Sequence, residues 1–272
     1  MASMVRPPAV AGRFYPREPS ALEHDVRQYL KAAQPATSVP AIACLVPHAG
    51  YMYSGHVAGA VFARLELPRI CLILCPNHTG RGVPLSIMSK GTWQTPLGAI
   101  GVHEHLAAAL KSYCPSLRED TEAHRSEHAI EVELPFLQVQ RADVWLIPIA
   151  LGTASFEALE VLGAAIAQTL AALSEQVLII ASSDMNHYEN DAITRVKDGL
   201  AIEKILNLDA RGLFDVVMKE KISMCGFGPA VVMLTAARLQ GATSAELVKY
   251  ATSGDVSGDR QMVVGYAGII VS

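Results

Sequence analysis

Short apolar runs rich in β-branched residues alternate along the chain with longer segments rich in alanine and leucine. Most of the short runs lack a polar residue at every second position, which is typical of strands that are buried on both faces. The short runs predict strands near residues 42–46, 70–75, 144–150, 177–181, 247–251 and 263–271. The longer segments predict helices near residues 20–33, 57–65, 104–113, 127–138, 156–173, 192–206, 211–217 and 228–239.

This alternation predicts an α/β protein with a central, largely buried mixed β-sheet that is flanked by helices on both faces. The 272 residues contain no internal repeat and no linker rich in Gly, Ser and Pro, so we expect a single domain over residues 1–272. The stretch 80–96 is rich in Gly, Pro, Ser and Thr, and it predicts a long excursion such as a hairpin after the second strand.

Composition excludes several classes of protein. Hydrophobic residues make up 51% of the chain and charged residues 18%, which excludes disorder as a description of the whole chain. A net charge of −4 without a basic block argues against a nucleic-acid or anionic-membrane partner. No apolar stretch approaches the roughly 18 residues of a membrane helix, and the first residues form no apolar signal core. We therefore expect a cytoplasmic protein whose five cysteines are free thiols.

Two histidines follow two of the predicted strands. His48 lies in Pro47-His48-Ala49-Gly50 after the strand near 42–46, and His78 lies in Pro76-Asn77-His78 after the strand near 70–75. Ligands of open α/β sheets bind at the carboxyl ends of the strands, so this placement predicts that the two side chains converge on a metal or a substrate. The alternative is that both histidines only cap helices or bind backbone carbonyls.

A third polar segment, Ser182-Ser183-Asp184-Met185-Asn186-His187, follows the predicted strand near 177–181. Asp184 and His187 are three residues apart and would be neighbours if a helical turn began there. The spacing predicts an acid–base pair in which the carboxylate orients the imidazole. The alternative is an N-cap cluster, formed by Ser182 or Ser183, with an incidental histidine.

Cys225 precedes the predicted helix near 228–239. Unpaired backbone N–H groups and the helix dipole favour a thiolate at a helix start, so the position predicts a soft metal ligand or a nucleophile. The alternative is packing at the helix start. Cys44, Cys71 and Cys75 fall within apolar strands, where inert buried thiols are expected.

The segment from His124 to Glu133 is a further polar cluster. A helix beginning at Glu127 would place His128 next to Glu131, and His128 is the better functional candidate. The acidic residues could also simply complement the helix dipole. The segment lacks the His-Glu-x-x-His pattern of zinc proteases, and the chain lacks a Walker A loop and a Gly-x-Ser-x-Gly elbow.

These segments together resemble the Memo family, in family order from about residue 6 to 271. The matching motifs are Gly12-Arg13-Phe14-Tyr15-Pro16, Pro47-His48-Ala49-Gly50-Tyr51, Tyr53-Ser54-Gly55, Pro76-Asn77-His78, Glu127-His128-Ala129-Ile130-Glu131, Ser182-Ser183-Asp184 with His187, and Cys225-Gly226.

The resemblance implies a fold related to the class III extradiol dioxygenases, which hold non-haem iron with two histidines and a glutamate. It implies a metal-capable pocket of His48, His78 and Cys225, lined by Asp184, His187 and His128. A thiolate is softer than a carboxylate, so we expect iron or copper, with zinc as an alternative. The resemblance also implies a radical-SAM protein and a third small protein as partners.

The sequence therefore predicts a metal-dependent redox or dioxygenase-like activity on an unknown small molecule, with His187 and Asp184 in proton transfer and His128 as a second acid–base or substrate contact. Two other functions stay open. The same pocket without metal could bind a peptide or ligand, with Tyr51 as a neighbour. Alternatively, Asp184 or His187 could activate a metal-bound water for hydrolysis.

Overall fold

A computed structural model describes residues 4–33 and 38–272 of the chain. Its strands are β1 (Val5–Arg6), β2 (Ala43–Val46), β3 (Ile70–Pro76), β4 (Leu85–Ile87), β5 (Thr92–Thr95), β6 (Gly98–Val102), β7 (Arg118–Glu119), β8 (Trp145–Leu151), β9 (Val177–Ser182), β10 (His187–Glu189), β11 (Ala245–Thr252) and β12 (Val263–Val271).

The helices are α1 (Pro19–Ala32), α2 (Tyr51–Phe62), α3 (Glu104–Tyr113), α4 (Glu122–Arg125), α5 (Leu134–Gln140), α6 (Phe156–Ala171), α7 (Asp191–Leu206), α8 (Ala210–Lys219), α9 (Phe227–Leu239) and α10 (Ser253–Ser257). A 3-10 helix, Glu131–Glu133, leads directly into α5. No helix within 4–33 and 38–272 is long and apolar enough to cross a membrane.

One sheet organises the protein, in the strand order β1-β5-β6-β8-β3-β9-β2-β12-β10. Its centre, β8-β3-β9-β2, is parallel. β12 is antiparallel to β2, to β10 and to β11. The predicted mixed α/β sheet is therefore confirmed, and the carboxyl ends of four adjacent parallel strands meet at one edge.

Helices cover the sheet because its central strands present apolar side chains to both faces. Every residue of β2, β3 and β9 is buried. α9 packs on β9, β3 and β2, with α6 and α8 against it, while α2 packs on β2, β11 and β12, with α1 against it. The α6–α9 contact depends on Gly163, where a Cβ would lie 2.7 Å from Cβ of Thr235.

Two predicted helices differ from the structure. α2 begins at Tyr51, six residues before the predicted start at 57. The helix predicted over 127–138 is wrong at its start, because residues 127 and 128 are irregular and residues 129 and 130 form a turn before the 3-10 helix. There Oε1 of Glu127 accepts hydrogen bonds from the backbone N–H groups of His128 and Ala129, at 2.9 and 3.0 Å, which holds the chain outside helical geometry.

The excursion at 80–96 contains β4 and β5, and β5 pairs with β6 as an antiparallel hairpin.

Candidate metal centre

Three neighbouring strands of the parallel centre end at the candidate site. His48 lies two residues beyond β2, His78 two residues beyond β3, and Asp184 two residues beyond β9. Because β3, β9 and β2 are adjacent and parallel, their final residues share one edge of the sheet. The predicted convergence of His48 and His78 is present, with their ring centroids 5.1 Å apart.

A third histidine completes the cluster. One ring nitrogen from each of His48, His78 and His128 lies within 4.8 Å of the others, which is close enough for a shared metal ion. The rings of His78 and His128 stack with centroids 4.7 Å apart, and His48 stands nearly perpendicular to both. The sequence prediction gave His128 an acid–base or substrate role, and the structure brings it into the group that could hold the metal.

The buried carboxylate of Glu127 orients two of these rings. Its Oε1 lies 2.9 Å from Nδ1 of His78 and 3.4 Å from Nδ1 of His128, and its Oε2 accepts the backbone N–H of His78 at 2.6 Å. Because Nδ1 of His78 and Nδ1 of His128 face the carboxylate, Nε2 of each ring is the nitrogen that is free to bind a metal. A carboxylate in this position fixes ring orientation and makes the imidazole a stronger donor.

His48 is the most buried member of the cluster, with 1% of its surface exposed. Nδ1 lies 2.8 Å from Oγ of Ser182, the last residue of β9. Nε2 lies 3.2 Å from Sγ of Cys225, so the third predicted ligand stands directly beside the histidine cluster. Cys225 thus lies beside His48, but the group of side chains close enough to share one metal ion contains His128 rather than Cys225.

The three imidazoles differ in how their surroundings shift the pKa. Burial and the nearby rings of His128 and His78 lower the pKa of His48 well below its usual range. Burial likewise lowers the pKa of His128 to about 4. At His78 burial also opposes the charged form, but the hydrogen bond and charge of Glu127 outweigh it and raise the pKa. His48 and His128 are therefore neutral at pH 7 and ready to bind a metal.

Asp184 supports His48 rather than His187. Its Oδ1 accepts the backbone N–H of His48 at 2.9 Å. Burial raises the pKa of Asp184 to about 7, although the backbone hydrogen bond from His48 opposes this rise. The expectation that Asp184 orients the ring of His187 is not met, because the chain runs into β10 and no helical turn brings the two side chains together.

His187 is held by a different partner. Its Nδ1 lies 2.9 Å from the carbonyl oxygen of Ser223, and its backbone N–H donates to Oγ of Ser223 at 2.7 Å. Burial lowers the pKa of His187, although its backbone hydrogen bonds oppose this. The carbonyl requires a proton on Nδ1, so Nε2 of the neutral ring is free to accept one.

Cys225 differs from the prediction in its charge. α9 begins at Phe227, two residues after the thiol, with Gly226 as its N-cap. Burial and the charge of Asp184 raise the pKa of Cys225 above its usual range, and backbone hydrogen bonds lower it by less. Desolvation therefore outweighs the helix start, and a thiolate here would require a bound cation.

Comparisons with known proteins show the family of this chain. A family model described as "Memo-like protein" matches residues 6–270. The chain belongs to the Memo family. A MEMO1 family protein of Methanosarcina barkeri is 43% identical over 268 residues, which cover 98% of this chain and 100% of the relative. A MEMO1 family protein of Pyrobaculum aerophilum is 43% identical over 276 residues, which cover 98% of each chain.

The Memo fold also has a distant structural neighbour. An uncharacterized protein of Escherichia coli K12 superposes with a TM-score of 0.53 at 15% sequence identity, over 84% of this chain and 98% of that one. At this identity the likeness shows the fold alone. The resemblance to the Memo family that the motifs predicted is confirmed by the family match and by the relatives.

The sequence does not predict the residues that support the histidine cluster through hydrogen bonds and ion pairs. The sequence predicts Glu127 only as part of a helix start, and its place directly before His128 is the signal for its role at the site. The sequence predicts Ser182 only as an N-cap. Arg6 and Glu131 form a buried ion pair beneath the cluster. Glu131 also accepts the backbone N–H groups of Ala9 and Val10, at 2.8 and 3.0 Å, and so joins the first residues to the site.

An aromatic cavity adjoins the Memo cluster. It has a volume of about 500 Å³ and is lined by residues that include Phe14, Tyr53 and Arg13. The ring of Phe14 lies 4.7 Å from that of His128, so the cavity reaches the edge of the site. Tyr51 offers it no free hydroxyl, because that group donates to the carbonyl of Val132 at 2.7 Å. A larger cavity of about 560 Å³, beside Trp145, contains none of the site residues.

Proposed function

We propose that His48, His78 and His128 bind a redox-active transition metal, iron or copper, and that the protein catalyses a redox reaction on a small molecule. The observation that carries this proposal is the convergence of three imidazole nitrogens within 4.8 Å. Cys225 is placed to supply a fourth, softer ligand, because its Sγ lies 3.2 Å from Nε2 of His48.

The donor set fits such a metal. Imidazole suits iron, copper and zinc, and a thiolate selects among them for the softer ions, whereas calcium and magnesium prefer oxygen ligands. Two of the three imidazoles are neutral at pH 7, so they bind without losing a proton. The bound metal would supply electron transfer and Lewis acidity at this edge of the sheet.

The surrounding side chains would move protons. Nε2 of His187 can accept a proton from a substrate, because Nδ1 is engaged by the carbonyl of Ser223. Asp184, with a pKa of about 7, can hold or release a proton near neutral pH. The aromatic cavity next to His128 offers room for an apolar or aromatic substrate.

A binding role is the second candidate, because the same cavity could hold a peptide side chain or another ligand without a metal. Metal-assisted hydrolysis by Asp184 or His187 is the third. From the family resemblance we also propose a cytoplasmic protein with a radical-SAM protein and a third small protein as partners.

Metal analysis tests the central proposal. The protein is purified without chelator and then reconstituted anaerobically with Fe²⁺, Cu⁺ or Zn²⁺. Wild type and the control His105→Gln, a change at an exposed residue of α3, should bind one ion per chain, and His128→Gln should lose it. Cys225→Ser should retain a zinc ion more readily than a copper(I) ion. Failure of the wild type to bind any of the three metals would contradict the proposal.

Oxygen consumption separates the reaction classes. The iron or copper form should consume dioxygen when a reductant or a catechol is present, and His187→Gln should slow this consumption without removing the metal. A hydrolase would consume no oxygen. Peptide binding that is retained in protein free of metal, together with no oxygen consumption, would favour the binding role.

A further inference from the structure

Glu133, at the end of the 3-10 helix, is a buried acid outside the set of groups that could bind the metal. Its side chain has no exposed surface. Oε2 is buried without a hydrogen-bond partner among residues 4–33 and 38–272, and Oε1 lies 3.2 Å from Oγ of Ser182. A buried carboxylate charge that has one neutral hydroxyl as its hydrogen-bond partner is strongly destabilised, whereas a carboxylic acid is not. Burial raises the pKa of Glu133 well above its usual range, and the charge of Asp184 adds to this.

The hydrogen bonds of Ser182 show where protons must lie. Its Oγ is 2.6 Å from the carbonyl oxygen of Ala129, 2.8 Å from Nδ1 of His48 and 3.2 Å from Oε1 of Glu133. A hydroxyl donates one hydrogen and accepts two. The carbonyl of Ala129 can only accept, so the single hydrogen of Ser182 goes to it. Nδ1 of His48 and Oε1 of Glu133 must then both donate to Ser182.

The opposite side of the His48 ring agrees with this assignment. If Nδ1 carries the proton of the neutral ring, Nε2 is an acceptor. Sγ of Cys225 lies 3.2 Å from Nε2, at a distance suited to an S–H donor. Every hydrogen bond around the ring therefore has one donor and one acceptor.

We infer that Glu133 is a protonated positioning residue, which acts through Ser182 to hold His48 in the Nδ1–H form with the lone pair of Nε2 directed at the metal centre. An ionised Glu133 would compete for the Ser182 hydrogen and release Nδ1 of His48 from its fixed tautomer. The role in metal binding rests on the proposed function, whereas the protonation of Glu133 and the tautomer of His48 do not.

Two spectroscopic measurements on protein free of metal test the inference directly. Infrared difference spectra of wild type against Glu133→Gln should contain, at neutral pH, the C=O band of a carboxylic acid that only the wild type has. Nitrogen-15 NMR of the imidazole rings should show His48 with a protonated Nδ1 and a bare Nε2. A carboxylate band at Glu133, or an Nε2–H tautomer at His48, would overturn the inference.

Variants test the positioning role with Zn²⁺ as the probe. Glu133→Gln keeps an N–H donor toward Ser182 and should bind Zn²⁺ with an affinity close to wild type. Glu133→Leu removes the donor and should weaken binding about tenfold, as should Ser182→Ala. Thermal unfolding confirms that each variant is folded. Equal losses in the Gln and Leu variants would contradict the role. If wild type itself binds no Zn²⁺, the proposed function fails, while the infrared and NMR results still decide the state of Glu133 and His48.

Discussion

Oε1 of Glu127 lies 2.9 Å from Nδ1 of His78, and the carboxylate is entirely buried. The pKa of Glu127 is lowered, because the hydrogen bond and charge of His78 outweigh the effect of burial, which would raise it. The contact with Glu127 thus fixes the orientation of the His78 ring and raises its pKa. Since the same carboxylate also faces His128, it connects two of the three candidate ligands.

Glu127→Gln should weaken metal binding about 10- to 100-fold, because the amide offers one acceptor atom in place of a charged pair of oxygens. The pKa of His78, measured by NMR titration without metal, should fall at the same time, since its partner's charge is lost. Glu122→Gln, at the exposed start of α4, is the matched control and should change neither quantity. Wild-type affinity in Glu127→Gln would show that the carboxylate does not orient the ligands.

The buried Arg6–Glu131 pair predicts a large effect on stability. Glu131→Ala should lower the free energy of unfolding by about 3–5 kcal/mol, because Arg6 keeps its charge in a buried site without a partner. Glu23→Ala breaks an exposed ion pair with Arg27 and should cost less than about 1 kcal/mol. Urea unfolding compares the two variants with wild type. Similar small losses in both would show that the buried pair contributes no more than a surface pair.

His124 predicts a loss of stability in acid. It is fully buried, and burial and the charge of Arg6 lower its pKa to about 4. An unfolded histidine binds its proton near pH 6.5, so the unfolded chain takes up a proton that the folded protein rejects. The contribution of His124 to stability is complete above pH 6.5 and is lost as the pH falls toward 4, by about 3 kcal/mol in total.

His124→Gln removes this titration, so its unfolding free energy should depend less steeply on pH between 6.5 and 4 than that of wild type. His48 and His128 titrate in the same direction in both proteins, and subtraction of the two curves removes their part. Parallel curves for the two proteins across this range would contradict the assignment to His124.

Gly226 predicts a steric effect on the thiol of Cys225. A Cβ at residue 226 would lie 2.4 Å from Cβ of Ser183 and 2.5 Å from the carbonyl oxygen of Ser182. Gly226→Ala should therefore push the Cys225 loop away from β9, cost about 1–3 kcal/mol of stability and weaken metal binding. Gly199→Ala is the matched control, because no atom lies within 4 Å of its added Cβ.

Gly199 lies on the exposed face of α7, so the alanine should stabilise the protein by about 0.5–1 kcal/mol. Thermal unfolding and metal titration of the two variants measure both effects. If the Gly226→Ala protein is as stable as wild type, the loop that carries Cys225 can move without a loss of unfolding free energy.

The sequence by itself determined the sheet and half of the site. The runs 70–75 and 177–181, which lie in β3 and β9, are apolar at every position. Such strands are stable only when both faces are covered, so the α/β class follows from local pattern. His48 and His78 could be located because each stands just beyond such a strand, and the ends of adjacent parallel strands share one edge of the sheet.

Only the tertiary structure decided which groups the other site residues contact. His128 reaches the cluster from a turn that no periodic pattern predicts, because the Glu127 side chain replaces helical hydrogen bonds there. Asp184 and His187 are close in sequence, yet they turn to different neighbours once β10 forms. Helix and strand periods encode which face a residue occupies within its own element, whereas contacts between loops depend on how those elements pack. Burial, which raises the pKa of Cys225, arises only from that packing.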